Sequence, residues 1–294
     1  MDEVATPGGS AAAPSASGLA GTRRPRGIGW GDGGLFLVAG LFALFLFLPV
    51  ATLVVRSIYD GSLAIAVASP EVLTALWLSL ATTAISLVVT VALGFPLAIV
   101  LARRSFRGKS LLEAVVDLPI VLPPSVAGLA LLLVFGRRGL LSAPFDFFGI
   151  IVPFTTIAVI VAQVFVSAPF FIRSARTGLS GVDKDLEDAA RVDGATERHL
   201  FRTITVPLAG TALAAGLVMS WARSLGEFGA TIMFAGNVEG RTQTLPLVVY
   251  SEFTGGDLDA SIAASAILVL AAFGVLIAVR FLHWGRVLDT RVIG

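Results

Sequence analysis

The longest uncharged stretch of this chain runs from residue 72 to residue 102. A helix that crosses a bilayer needs about 20 predominantly apolar residues, so this stretch exceeds one straight crossing, and tilt or a kink at Pro96 would accommodate the excess. Hydrophobic residues make up 56% of the 294 residues and charged residues only 14%. These values exclude an ordinary soluble domain and predict an all-α integral membrane protein with several transmembrane helices.

Six segments are long and apolar enough to span a membrane, and together they define a domain predicted over residues 35–284. They lie at about residues 35–55, 72–102, 115–136, 150–172, 205–233 and 260–282. The third segment carries Pro119, Pro123 and Pro124, which remove backbone donors and distort a helix. Such breaks persist in a membrane only where protein or a water-filled path covers the freed carbonyls.

The distribution of positive charge predicts the orientation. Residues 1–34 are rich in Gly, Ala, Ser and Pro and predict a disordered tail, and residues 285–294 form a second tail. The first apolar segment is longer than the apolar region of a signal peptide and no cleavage site follows it, so we predict an uncleaved first span. With the N-terminus inside, sixteen of the 21 Lys and Arg residues lie in cytoplasmic segments. Only Arg56, Arg137, Arg138 and Arg241 lie in outer segments, which places both termini in the cytoplasm.

The chain offers no residues for covalent chemistry. It has no Cys, and its two His residues lie in separate regions, so we predict no cofactor, no metal site and no catalytic residue. Gly108-Lys109-Ser110 is similar to the end of a phosphate-binding loop, but the glycine required five residues before Gly108 is Arg103. The Lys and Arg residues of the chain are dispersed rather than clustered, which argues against nucleic-acid binding. If transport consumes ATP, another polypeptide hydrolyses it.

A polar loop at residues 182–204 separates the fourth and fifth apolar segments. Asp183 is a predicted helix N-cap, and Gly194 is expected to end that helix with positive φ. A second short helix at about residues 197–203 then leads to Pro207. The first helix and its end carry a stripe of mostly small apolar residues, namely Leu186, Ala189, Ala190 and Ala195. A helix lying on lipid is the alternative, but its stripe would carry larger side chains, so we favour docking into a protein groove.

This loop also carries a recognisable spacing. The sequence Asp188-Ala-Ala-Arg-Val-Asp-Gly194, followed by Ile204-Thr-Val-Pro207, resembles the signature of ABC-importer permeases: Glu-Ala-Ala, three residues, Gly, nine residues, Ile-x-Leu-Pro. Asp188 takes the place of the Glu, and Val206 that of the Leu. The resemblance implies the type I ABC importer permease fold, with residues 182–204 as a coupling loop that contacts a separate ATPase. The implied contact residues are Asp188, Ala189, Ala190, Gly194, Ile204 and Pro207.

A second informative stretch follows within the fifth apolar segment. Arg223 and Glu227 are four residues apart, so they lie on one helix face and are able to pair. A charge near the middle of a membrane costs about 2.5–3.5 kcal/mol on insertion scales, so pairing or a wet cavity is expected. A structural ion pair and a charged lining at a gate both remain open. The proline region supplies the further gate or pathway candidates Pro123, Pro124 and Ser125.

Three segments narrow the resemblance. Glu227-Phe-Gly-Ala230 resembles the oxyanion branch of these permeases, whereas residues 118–139 and 233–247 resemble the molybdate permeases in particular. The resemblance implies a homodimer in a bacterial or archaeal plasma membrane, with two cytoplasmic ATPase subunits and an extracytoplasmic binding protein. It implies uptake of molybdate or tungstate by alternating access.

Other functions stay open at this point. A sulfate or thiosulfate permease is the nearest alternative. An ion-coupled secondary transporter would need intramembrane carboxylates, and only Glu227 fits, with Arg223 beside it. A non-transporting membrane scaffold would leave the prolines at 119, 123 and 124 without a purpose.

Overall fold

The computed structural model describes the backbone of residues 32–289 and the side chains of residues 33–277. Residues 1–31 and 290–294 of the predicted tails lie outside the described residues, whereas residues 32–34 begin the first helix and residues 285–289 end the last. The helices are α1 (Asp32–Tyr59), α2 (Ser62–Ala68), α3 (Pro70–Arg103), α4 (Lys109–Val121), α5 (Pro124–Phe135), α6 (Ser142–Phe147), α7 (Thr156–Ser180), α8 (Lys184–Val192), α9 (Glu197–Leu200), α10 (Val206–Leu208), α11 (Gly210–Leu225), α12 (Gly229–Phe234), α13 (Leu245–Gly255) and α14 (Leu258–Asp289). A π-helical turn, Phe201–Thr205, joins α9 to α10.

Among the described residues, four helices are long and apolar enough to cross a membrane individually: α1, α3, α7 and α14. Two bent pairs, α4 with α5 and Glu197–Leu208 with α11, meet the same criterion when each pair is counted as one crossing. The described residues thus confirm the all-α membrane fold. Side chains at the N-termini fix where two of the long helices begin, since Ser69 accepts a hydrogen bond from Val72 N and Thr155 accepts one from Ala158 N.

The third predicted span is two helices rather than one. The chain bends by 118° from the direction of α4 to that of α5, across Leu122 and Pro123. Leu122 has an extended backbone (φ −68°, ψ 132°), the conformation imposed on a residue that precedes proline. Pro123 and Pro124 donate no backbone hydrogen bonds, so the helical ladder stops here and restarts with Pro124 at its first position. Pro119, in contrast, lies within α4.

The fourth and fifth predicted spans also differ from the structure. The fourth, predicted at 150–172, is α7, which begins after Pro153 and the positive-φ residue Phe154 and extends to Ser180. The fifth, predicted at 205–233, is divided. It bends by 65° between α10 and α11, and α11 ends at Leu225 before the short α12.

The core lies in residues 50–289, which form one compact unit, whereas residues 32–49 form another. Within the larger unit, one cluster joins α5, α7 and α12 around Ala127, Val159 and Phe234. A second joins α3 and α7 around Phe171 and Leu179. Small residues bring helices close, as membrane helix packing requires: a Cβ on Gly216 of α11 would lie 2.8 Å from Ser174 Cβ on α7.

A seam of buried hydroxyl groups lines one face of α3. Its members are Ser79, Thr82, Thr83, Ser86 and Thr90. Ser86 donates to Gln163 Oε1 on α7 (2.9 Å), and Ser79 Oγ accepts from Leu245 N at the start of α13 (2.7 Å). These bonds satisfy polar groups that lipid would leave unpaired, and they fix α3 against two other helices.

Candidate functional site

The loop after α7 folds as the sequence predicts at its two ends. Asp183 accepts a hydrogen bond from Asp185 N (2.9 Å) and caps α8, and Gly194 has φ +87°. Both predictions are confirmed. Ala195 N donates to Ala190 O, which closes the helix end around the glycine. The turn therefore depends on a backbone conformation that few residues other than glycine adopt.

The apolar stripe of the loop faces outward. Leu186 is 51% exposed, Asp188, Ala189 and Gly194 are exposed, and Ala190 is partly exposed. No heavy atom outside its own neighbourhood lies within 4 Å of the position that a Cβ on Gly194 would occupy. The loop thus presents a short, smooth helix–turn surface formed by small side chains.

The buried side of α8 carries Glu187, a residue outside the spacing motif. Glu187 is only 3% exposed. Arg103, the last residue of α3, donates from Nη1 to Oε2 (2.7 Å) and from Nη2 to Oε1 (2.8 Å). Thr205, at the end of the π-helical turn, donates to Oε1 (2.7 Å). One carboxylate therefore joins α3, α8 and the segment that leads into α10.

The charge environment stabilises Glu187 as a carboxylate. Burial raises the pKa of Glu187, but the hydrogen bonds from Arg103 and Thr205, together with the charges of Arg103 and Arg191, outweigh burial and leave the pKa below its ordinary value. Arg191 also bridges α8 to α9, since its guanidinium lies 2.7 Å from Glu197 Oε1 and 2.6 Å from Asp188 Oδ1. Asp188, the residue of the motif, is thus paired within the loop.

A cavity of about 420 Å³ opens beside this network. Arg103 and Glu187 line it, and Arg104, Lys184 and Glu197 contribute further charged groups. The remaining motif residues, Ile204 and Pro207, follow α9 in the chain. The second short helix ends at Leu200, earlier than predicted, and continues as the π-helical turn, in which Ile204 is partly buried. Pro207 is exposed within α10.

The intramembrane candidates form a second group. Arg223 Nη2 lies 2.6 Å from Glu227 Oε2, so the predicted pairing is confirmed. The Glu227 side chain is fully buried, whereas that of Arg223 is 28% exposed. Glu227 Oε1 also accepts a hydrogen bond from Ala230 N (2.7 Å), so the carboxylate caps α12. This second role explains why the helix breaks after Leu225.

The structure brings the proline region next to this carboxylate. A Cβ on Gly229, two residues after Glu227, would lie 2.7 Å from Pro124 Cβ and 3.2 Å from Ser125 N. Pro123, Pro124 and Ser125 are themselves exposed at the start of α5. The five gate or pathway candidates therefore belong to one region, where the N-termini of α5 and α12 meet.

The sequence did not predict that Arg103, Glu187 and Thr205 lie together and share hydrogen bonds. The available signal was a second carboxylate directly before Asp188, which points to the opposite side of α8 from the exposed stripe. Its partners lie 84 and 18 residues away in the chain. In the sequence, Arg103 was notable because it stands where a phosphate-binding loop would require glycine.

Comparisons with known proteins identify a family and several relatives of this chain. Residues 94–293 match the family described as binding-protein-dependent transport system inner membrane component. The chain is 40% identical over 242 residues to the molybdenum transport system permease protein ModB of Mycobacterium tuberculosis, covering 82% of this chain and 90% of that protein. It is 40% identical over 206 residues to ModB of Escherichia coli, covering 69% and 90%. A bacterial ABC transporter that imports alginate has a similar fold (TM-score 0.68, 16% identity, covering 86% of this chain and 94% of that one).

Proposed function

The chain belongs to the family of binding-protein-dependent transport system inner membrane components, and from that premise we propose that it is the permease subunit of an importer for molybdate or tungstate. The relatives named as molybdenum transport permeases, at 40% identity across most of both chains, are the observation that carries the substrate. Residues 35–284 form the permease domain in this proposal, with both termini in the cytoplasm.

The coupling loop, residues 182–204, supports a docking role. Its outward face consists of Leu186, Ala189, Ala190 and the turn at Gly194, which suits close approach of another protein. Its inward face is fixed to α3 through Glu187. We infer that a cytoplasmic ATPase subunit contacts the outward face, with Asp188, Ile204 and Pro207 at or beside the contact. Its closure on ATP would move α8 and the helices attached to it.

The complete transporter in this proposal contains two copies of the chain, two ATPase subunits and an extracytoplasmic binding protein. The binding protein releases the oxyanion at the outer side, and the permease dimer alternates between outward-open and inward-open states. The chain itself carries no covalent chemistry. Tetrahedral dianions are held well by neutral N–H and O–H donors, so a cluster of cationic side chains in the path is not required.

A gate at the junction of α5 and α12 is part of the proposal. Arg223 and Glu227 lie beside the exposed turn formed by Pro123, Pro124 and Ser125. The carboxylate fixes the start of α12, and the partly exposed guanidinium is the cationic group available to an anion there. Movement of α11 would therefore shift both the pair and the proline turn.

Growth of a deletion strain tests the substrate. Cells that lack this permease should lose the activity of molybdenum enzymes at low external molybdate, and high molybdate should restore it through lower-affinity routes. Growth on limiting sulfate should be normal. Sulfur auxotrophy with normal molybdenum-enzyme activity would refute the molybdate assignment and favour the sulfate alternative.

Purification tests the division of labour. The chain reconstituted alone in lipid should hydrolyse no ATP, and the ATPase subunit of the same transporter should co-purify with it. Robust hydrolysis by the isolated, pure chain would refute the proposal that a partner supplies the energy.

A further inference from the structure

The network around Glu187 joins three parts of the chain that are distant from one another in sequence. Glu187 lies on α8, Arg103 ends the 34-residue helix α3, and Thr205 ends the π-helical turn before α10. All three contacts are 2.8 Å or shorter. The spacing motif includes neither Glu187 nor Arg103.

The geometry of the network fixes direction as well as distance. A guanidinium that donates two parallel hydrogen bonds to one carboxylate resists rotation as well as separation, which a single bond does not. Glu187 is 3% exposed and the Arg103 side chain 26% exposed, so salt and water screen the pair less than they would screen a pair on the surface. Thr205 donates a second hydrogen bond to Oε1, so this oxygen accepts from both α3 and the π-helical turn.

The second contact reaches a segment with a distinct backbone. Short π-helical stretches within helices are uncommon and often mark functional sites. The stretch at Phe201–Thr205 ends at the residue that donates to Glu187 and is followed at once by α10 and α11. The Phe201 ring also lies 6.2 Å from the Phe95 ring of α3, measured between ring centroids. A displacement of α8 is therefore passed both to α3 and to the segment that leads into α11.

We propose that Arg103, Glu187 and Thr205 form a latch that transmits movement of the coupling loop to α3 and α11. These are positioning residues: they contact neither the ATPase nor the oxyanion, but they keep α8 and the end of α3 moving as one body. The proposal rests on the function proposed above, since it presupposes an ATPase on the outward face of α8.

The test uses the complete transporter, reconstituted in lipid with its ATPase and its binding protein loaded with molybdate. Glu187→Gln removes the charge and one acceptor while keeping the side-chain shape. Arg103→Lys keeps the charge but loses the two-pronged geometry. Glu113→Gln is the matched control, because Glu113 also pairs with an arginine (Arg176, 3.2 Å) but lies on α4, away from the loop.

The readouts separate coupling from folding. In Glu187→Gln the ATPase should still co-purify, whereas stimulation of hydrolysis by the loaded binding protein, and molybdate imported per ATP, should fall about tenfold, the factor that corresponds to about 1.4 kcal/mol. Arg103→Lys should show a smaller loss of the same kind, and Glu113→Gln none. Wild-type stimulation and import per ATP in Glu187→Gln would overturn the latch.

A distance measurement tests the rigid link directly. The chain has no native Cys, so spin labels attach only at introduced positions, and Ser105→Cys with Asp185→Cys places them beyond the end of α3 and on the exposed side of α8. The distance between the labels should be the same in nucleotide-free and ATP-trapped transporter, and should differ between these states once Glu187→Gln is added. A nucleotide-dependent distance in the otherwise unmodified latch would contradict the proposal.

Two further outcomes are decisive. If Glu187→Gln and Arg103→Lys both fail to insert while Glu113→Gln inserts normally, the network serves folding, and the latch is rejected. If the wild-type chain retains no ATPase subunit, the proposed function itself is refuted, and the latch falls with it.

Discussion

Removal of one partner from the Arg223–Glu227 pair should destabilise the protein more than removal of both. Each carboxylate oxygen of Glu227 has its own partner: Oε2 lies 2.6 Å from Arg223 Nη2 as an ion pair, and Oε1 accepts a hydrogen bond from Ala230 N at 2.7 Å. Glutamine offers a single acceptor oxygen. In Glu227→Gln, either Arg223 or Ala230 N therefore faces an amide NH₂ group and loses its partner.

The structure sets the size of this effect. Breaking a buried ion pair by removing one partner costs about 3–5 kcal/mol. Because Arg223 keeps 28% of its side-chain surface exposed, water compensates in part, and we expect about 2–3 kcal/mol for Glu227→Gln. That corresponds to a fall of about 5–10 °C in the midpoint of thermal unfolding for a chain of this size. In the double variant Arg223→Gln with Glu227→Gln no charge is stranded, and the loss should be smaller than in either single variant.

Thermal unfolding in detergent, at one fixed scan rate for all variants, measures these differences. Glu239→Gln is the control, since Glu239 is exposed and the substitution should leave the midpoint unchanged. Independent, additive losses from the two single substitutions would refute the pairing argument. Glu227 would then be a better candidate for a gate residue.

Three further predictions concern single positions. Gly194→Asp should abolish uptake while insertion and dimerisation persist, because positive φ costs a non-glycine residue about 1–2 kcal/mol and the new side chain would hold the ATPase away; normal uptake with normal ATPase co-purification would contradict this. Gly128→Ala should lower the thermal midpoint, since its Cβ would lie 2.6 Å from Ala230 O, whereas Gly210→Ala, with nothing within 4 Å, should not; equal midpoints would contradict the packing. The stability that Glu187 contributes relative to Glu187→Gln should be constant from about pH 8 to 5 and should vanish only in acid, because its pKa in the folded chain is lowered below the ordinary value of about 4.3; a difference that titrates near neutral pH would contradict the sign.

Features set by local chemistry were predictable from the sequence. The cap at Asp183 and the left-handed glycine at 194 depend on residues within one helical turn, so the pattern of residue types was sufficient to place them. The spacing of four residues predicted that Arg223 and Glu227 pair, and they do, although α11 ends at Leu225 and Glu227 lies in the break before α12 rather than on the same helix. The apolar segments themselves placed all the long helices.

Features set by contacts distant in the chain were not predictable. Pro123 and Pro124 indicated a distortion, but prolines alone do not specify its size, a bend of 118° between α4 and α5, nor the close approach of α12, where a Cβ on Gly229 would lie 2.7 Å from Pro124 Cβ. The break after Leu225 was not predicted because residues 225–234 are mostly apolar, and the feature that stabilises the start of a new helix there is one buried carboxylate, which accepts a hydrogen bond from Ala230 N. Glu187 was overlooked because its partner Arg103 is 84 residues away.

The π-helical turn at Phe201–Thr205 bears on how the chain tolerates insertions and deletions. Connecting segments usually accept changes in length, because they contact little on either side. In this segment, each residue added or removed would turn Thr205 by about 100° around the helix axis relative to α9. The Thr205 hydroxyl would then point away from Glu187, and the side chain of Pro207 in α10 would point in a different direction. The length of the turn is therefore constrained by the Thr205–Glu187 hydrogen bond: a one-residue insertion or deletion within Phe201–Thr205 should break this bond, whereas a substitution at the exposed Arg202 should not.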